Sequence, residues 1–232
     1  MDNVIQNYVF DFYGTLVDVR TDEHCAKTWK KWLRVLDKRK IKHPEYFVFR
    51  REFFELDKKY REKLKEELKC EFPEIDIIDV YRELFDRYGN GILDDELLKE
   101  LSYAFRVASR EYIRLFPGVR EYIELLNKNG KHTYILSNAQ RSYTWPEIEM
   151  FELEKLTEDQ IISSDHLYMK PEKAFFDVLI NKHKLDRNAT LMHGDSRFSD
   201  INGAINSNIH YVHLVNENHP QKYWADKVKE LN

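Results

Sequence analysis

The chain has 232 residues, 42% hydrophobic and 34% charged, which suits one large domain or a core carrying a smaller insertion, with a wetted surface. Its formal net charge of -4 gives no basis for nucleic-acid or anionic-membrane binding, no apolar run reaches the roughly 20 residues of a membrane span, and the N-terminal MDNVIQNYVF lacks a signal-peptide pattern. With two cysteines, Cys25 and Cys70, that are not at metal-ligand spacing, these features predict a cytoplasmic protein with reduced thiols.

Val4 to Phe10 reads as a buried strand that runs straight into DFYGTL. From about Asp18 to Ser109 the pattern is almost wholly helical. It predicts helices near His24–Asp37, Glu45–Lys69, Ile75–Tyr88 and Asp94–Ser109, separated by Pro44, Pro73 and the YGNGI turn. The basic stretch KTWKKWLRVLDKRKIKH is read as a solvated helix face with Trp29 and Trp32 turned inward, the alternative being phosphate steering or an acidic partner. From Pro117 helix and strand alternate. A helix with Val119, Tyr122, Ile123 and Leu126 at helical spacing stops at Gly130. The strand HTYILS follows, then a short strand near Ile161, a helix Glu172–Lys184 and the strand TLMHGD. A helix through Ile201 to Asn206, the strand IHYVHL and a final helix from Gln221 complete the chain. This alternation predicts an α/β fold, a doubly wound parallel sheet with helices on both faces, whose ligand site lies outside the carboxyl ends of its strands.

Four polar clusters stand at those strand ends. They are Asp11 to Thr15 after the first strand, Ser137-Asn138 after HTYILS, Lys170-Pro171 beyond the third strand, and Gly194-Asp195-Ser196 with Asp200 five residues past Asp195. Each alone is an ordinary cap or loop signal, and Asp200 has a ready second reading as a helix cap. In this order they bring hydroxyls, an amine and carboxylates to one pocket. Asp11 and Asp195 end apolar strands, where a carboxylate without a partner is costly. His193, on the strand just before Gly194, is predicted to be buried and hydrogen-bonded, with a catalytic role beside the strand-end carboxylates as the second reading.

With these motifs, and with FPGVREYIELLNKNGKHTYILSNA, KPEKAFF and HGDSRFSDINGAINSNIHYVHL, the chain resembles the haloacid dehalogenase superfamily. The resemblance is to the subclass with a helical cap inserted between the first and second motifs. It implies a core formed by residues 1–17 and 110–232 and a cap over 18–109. It further implies a Mg2+-dependent hydrolase of small phosphorylated metabolites, with Asp11 as the nucleophile that forms an aspartyl-phosphate. Thr15, Ser137 and Asn138 would bind the transferring group, and Lys170 would hold Asp11 and the phosphoryl oxygens. Asp11, Asp195, Asp200 and the Tyr13 carbonyl would form the metal shell. Glu74, Asp76, Arg106 and Arg110 are candidate cap-side substrate contacts.

At position 13 the chain departs from the phosphatase pattern, which places an acid–base Asp two residues after the nucleophile; Tyr13 stands there. DxYGT is similar to the dehalogenases, whose halide leaving group needs no proton. Those enzymes lack the carboxylate corresponding to Asp195 and use a cap-side arginine, for which Arg20 is a loose candidate. A metal-free dehalogenase-like hydrolase and a phosphometabolite-binding or partner-binding protein without turnover are therefore the alternative expectations.

Overall fold

The computed structural model describes residues 4–231. Five parallel strands form the central sheet: β1 (Asn7–Phe10), β4 (His132–Ser137), β5 (Asp159–Ile162), β6 (Thr190–Gly194) and β7 (His210–His213). Their spatial order is β5-β4-β1-β6-β7, so β1 is paired on both edges and its carboxyl end lies at the middle of the sheet. Side chains alternate across the sheet as the pleat requires. Phe10 and Ile135 pack on one face with α5 (Val119–Lys128) and α9 (Pro220–Leu231). Val9, Leu136 and Met192 pack on the other with α7 (Lys173–His183) and α8 (Asn202–Asn206). Each such ring or branched side chain contributes about 1.5–3 kcal/mol by leaving water, and both faces need cover, as parallel sheets do.

The segment between the first and second sheet strands contains α1 (Ala26–Lys38), α2 (Tyr46–Leu68), α3 (Ile77–Arg87) and α4 (Asp95–Ser109), each within two residues of the predicted bounds. On α1 the residues Trp29, Trp32, Leu33 and Leu36 recur at helical spacing and are buried, leaving the lysines outward. Trp29 and Trp32 meet Phe49, Phe53, Tyr81, Phe85 and Phe105 in an aromatic cluster that Tyr143 of the core joins. The Trp32 indole donates to the Leu101 carbonyl at 2.8 Å, so burial leaves no orphaned donor.

Two features correct the sequence-based expectation. Helix was predicted from about Asp18, yet β2 (Val17–Thr21) pairs antiparallel with β3 (Arg110–Leu115) in a separate ribbon. Polar residues dominate both strands and the partners lie about ninety residues apart in sequence, so neither strand shows the apolar run that marks a buried one. The second is α6 (Arg141–Met150), which contains Pro146 and lies in a stretch to which the sequence pattern assigned no element. No helix among the described residues is long and apolar enough to cross a membrane.

His193 is buried among Phe10, Tyr122 and Trp224, with ring centroids 5.1, 6.5 and 5.4 Å away. These ring contacts replace the expected hydrogen bond, since neither ring nitrogen makes one. Burial pushes its pKa down to about 3, against a smaller opposing influence of the Val9 backbone, and Lys227 pushes the same way as burial. An unfolded histidine titrates near 6.5. Below that pH the unfolded chain binds a proton that the folded chain refuses, so stability falls as pH drops from about 6.5 toward 3. Urea unfolding of the chelator-treated protein between pH 6 and pH 4 should show a decline steeper by about 1.4 kcal/mol per pH unit than in His193→Phe. Equal slopes would remove His193 as the cause.

Candidate active site

The carboxyl ends of the sheet strands bring the predicted residues together. β1 delivers Asp11, whose amide donates to His193 O at 2.9 Å, and β4 ends in Ser137. The loop after β5 supplies Lys170, and β6 leads into Asp195 and then into a π-helical turn, Arg197–Ile201, that contains Asp200. Lys170 Nζ lies 2.6 Å from Asp11 Oδ1, 2.6 Å from Asp200 Oδ1 and 2.8 Å from Leu136 O. Three acceptors match the three ammonium protons, which is what a lysine only 2% exposed requires. Asp200 Oδ2 also accepts from Ser196 N at 3.0 Å, so the carboxylate closes its own turn and holds the lysine together.

Asp11, Asp195 and Asp200 each offer an oxygen within 4.8 Å of the others. Thr15 Oγ1 donates to Asp195 Oδ1 across 3.4 Å. Two glycines make this approach possible. Gly14 has φ +80°, and a Cβ there would sit 2.4 Å from Asp195 Oδ2; a Cβ on Gly194 would meet Asp200 Cβ at 2.3 Å. Three carboxylates facing one ammonium leave excess negative charge in a buried place. Burial is the largest cause raising the Asp11 pKa, with Asp200 and Asp195 adding to it and Lys170 opposing. Asp195 is raised too, by burial and then by Asp200. Close carboxylates with unbalanced charge are a donor set that suits a hard divalent cation.

The other predicted residues divide. Ser137 Oγ is fully buried and has no partner among the described residues, a donor left over for something else. Asn138 is occupied: its Nδ2 donates to Lys170 O at 2.8 Å and its Oδ1 accepts from Lys170 N at 2.7 Å, so it holds the backbone that presents the lysine. The Tyr13 hydroxyl donates to Glu147 Oε2 at 2.6 Å, its oxygen lies 3.0 Å from Thr144 Oγ1, and the Arg106 guanidinium stands 4.8 Å from its ring centre. Glu147 on α6 is fully buried. It also accepts from Arg106 Nε at 2.9 Å, Arg106 Nη2 at 3.2 Å and Arg110 Nη1 at 2.8 Å. Burial drives the Tyr13 phenol well above its ordinary pKa, so it stays protonated.

The four cap-side candidates are all engaged. Arg106 and Arg110 serve Glu147, Asp76 caps α3 by accepting from Ile78 N, and Glu74 is buried against the core. Arg20 is exposed and pairs with Glu111 at 3.2 Å. Glu147 was not foreseen. An isolated glutamate in an unassigned stretch reads as solvated, and its partners Arg106 and Arg110 come from elements far away in sequence.

Comparisons with known proteins agree with this arrangement. A family model for haloacid dehalogenase-like hydrolases matches residues 5–208. Glyceraldehyde 3-phosphate phosphatases of Pyrococcus abyssi and Pyrococcus furiosus are each 30% identical over 95 residues, 41% of this chain. That stretch spans 40% of each relative's length. Among solved structures, a haloacid dehalogenase phosphatase from Thermococcus onnurineus aligns with a TM-score of 0.58 at 19% identity, covering 93% of this chain and 88% of that one. A 2-haloacid dehalogenase from Pseudomonas syringae pv. Tomato DC3000 aligns with a TM-score of 0.59 at 18% identity, over 90% and 86%. Likeness at such identities concerns the fold. The family match over most of the length, on a parallel sheet with Asp11, Lys170 and Asp195 at its strand ends, establishes that this chain belongs to the haloacid dehalogenase-like hydrolases.

Proposed function

We propose that the chain is a cytoplasmic Mg2+-dependent phosphohydrolase of small phosphorylated metabolites, with residues 18–109 acting as a cap over the core 1–17 and 110–232. The observation that carries the reading is Lys170 bridging Asp11 and Asp200 beside Asp195, since a charge-balanced nucleophile and an excess of carboxylates meet at one strand-end site. Asp11, Asp195, the Tyr13 carbonyl and, directly or through water, Asp200 would hold the cation. When bound there, Mg2+ offsets the negative charge of phosphate and nucleophile.

In this reading an Asp11 carboxylate oxygen forms a bond to phosphorus as the ester P–O bond breaks, and the leaving oxygen departs with the electron pair. Water then cleaves the aspartyl-phosphate, releasing phosphate and restoring Asp11. Lys170 opposes protonation of Asp11 and offsets the phosphoryl charge through its own charge, while Ser137 Oγ and Thr15 Oγ1 would hydrogen-bond the phosphoryl oxygens. Residue 13 supplies no acid to the leaving oxygen, because the Tyr13 hydroxyl is turned to Glu147 and stays protonated.

Acyl and aryl phosphates, whose leaving groups need no proton, should therefore turn over faster than alkyl phosphates by about the 100- to 10,000-fold that general acid help provides. A panel of monoesters graded by leaving-group pKa, with Mg2+ and with chelator, tests this. Glyceraldehyde 3-phosphate, the substrate named for the Pyrococcus relatives, belongs in the panel as its alkyl member. Rates independent of leaving group, with chemistry limiting, would show that another residue protonates it. Tyr13 also favours a second reading, dehalogenation, which halide release from 2-haloacids in chelator would establish.

A further inference from the structure

The link between α2 and α3 lies along the catalytic loops of the core. Phe72 O accepts from Met169 N at 3.2 Å and Glu74 N donates to Leu167 O at 2.9 Å, so Pro73 and Tyr168 pair as a short antiparallel bridge two residues before Lys170. Below it, Glu172 Oε1 accepts from Glu71 N at 2.7 Å and Phe72 N at 2.9 Å. The Glu74 side chain is 3% exposed and points the other way, into the loop that follows β4. It accepts from Gln140 Nε2 at 3.1 Å and Ser163 Oγ at 2.9 Å, and Arg61 stands 2.8 Å away. Gln140 answers by binding Ile75 O and Ile77 N at 2.9 and 2.8 Å. Phe72 meets Phe198, on the turn that contains Asp200, with ring centres 5.2 Å apart. One six-residue segment thus touches the loops that present Asn138, Lys170 and Asp200.

We propose that residues 71–76 are a strap that places Lys170 against Asp11, with Glu74 as a positioning residue, so that seating the helical segment and presenting the lysine are a single event. The physical reason is redundancy of restraint. Lys170 is held through its backbone by Asn138 on one side, and the strand immediately before it is held by Phe72 and Glu74 on the other. Glu74 spans both, since Ser163 also accepts from Ala139 N at 2.8 Å, next to Asn138. If the segment lifts at this edge, the bridge at Tyr168 parts and Lys170 loses one of its two supports. A lysine 2% exposed and bonded to three acceptors leaves little room to compensate.

The catalytic part of this inference rests on the phosphohydrolase reading, and the structural part does not, which lets the two fail separately. The test uses the full chain with Mg2+ and 4-nitrophenyl phosphate, together with amide hydrogen exchange. In Glu74→Ala, kcat should fall about 100-fold, the order expected for roughly 1 Å of misplacement, with KM changed by less than about threefold. Glu74→Gln, which retains hydrogen bonds to Gln140 and Ser163, should recover at least about tenfold of that loss. Amides of Met169 and Lys170 should exchange faster in Glu74→Ala, while those of β4 and β6 stay at the wild-type rate. Glu172→Ala, which releases the outer end of the strap, gives the same exchange pattern more weakly and serves if Glu74→Ala does not fold. Unchanged exchange over residues 167–172 in a folded variant overturns the strap, and faster exchange with wild-type kcat overturns the positioning role. A wild type inactive on every phosphoester sinks the phosphohydrolase reading and leaves the exchange result to decide the strap.

Discussion

Asp11→Asn should abolish turnover, by about 10,000-fold or more, while leaving the fold and the neighbouring lysine in place. The amide is isosteric and its oxygen still accepts from Lys170, which keeps Asp200 and Leu136 O as partners. What is lost is the carboxylate proposed as nucleophile and one of three oxygens available to a cation. Wild-type protein in chelator should be similarly inactive and recover on adding Mg2+, whereas Asp11→Asn recovers at no concentration. Asp195→Asn should behave differently, demanding more Mg2+ for half-maximal rate, because in the proposed reading Asp195 would hold the cation and Asp11 would attack. These rates on one active phosphoester, with near-identical thermal unfolding of the variants, decide the matter. An Asp11→Asn enzyme that retained a tenth of the rate would move the nucleophile elsewhere.

The largest expected effect on stability comes from Glu147. Its carboxylate is fully buried and receives Arg106, Arg110 and the Tyr13 hydroxyl, while Glu23 stands 3.6 Å from Arg106. Two acids and two bases balance there, at the seam between α4 and α6. Glu147→Ala leaves Arg106 buried with one distant acid, and breaking such a pair costs about 3–5 kcal/mol. For a chain of this length that is a fall in Tm of about 6–20 °C. The penalty comes from the stranded charges and not from lost attraction. The triple variant Arg106→Met, Arg110→Met, Glu147→Leu should therefore recover most of it, as apolar replacement of buried ion groups often does. Chemical denaturation of the single and triple variants gives the comparison. A single variant as stable as wild type would show that water reaches the cluster and relieves the charges.

Much of this fold is legible without coordinates, for physical reasons that also explain the gaps. The sheet strands are short apolar runs that end in charged or hydroxyl residues, and the change from apolar to polar marks a strand delivering a site. That is why Asp11, Ser137, Lys170, Asp195 and Asp200 could be named from their order alone. The ribbon of β2 and β3 gives no such contrast, because VDVRT and REYIRL are half exposed and their pairing depends on residues far apart in the chain. The helix α6 was hidden by Pro146, which lowers helix propensity but is tolerated where packing by Tyr143, Thr144 and Ile148 decides. Asn138 was placed among substrate contacts because a motif reports neighbourhood and not direction; its amide faces the Lys170 backbone instead. Glu147 could not be told from a surface acid and Glu74 was read as a substrate contact, since the meaning of both lies in partners on other elements.

The ribbon has one more implication. Val17 and Leu115 face each other at its base, so the two points where the chain leaves and rejoins the sheet layer are one strand spacing apart, about 5 Å. An insertion whose ends are that close is topologically detachable: a tight turn could join residue 17 to residue 115 without disturbing β1, and an unrelated module could be transplanted between the same two residues. Such an exchange would swap whatever the insertion recognises while the strand-end chemistry stayed in place, provided the graft brought its own contact for the Tyr168 edge.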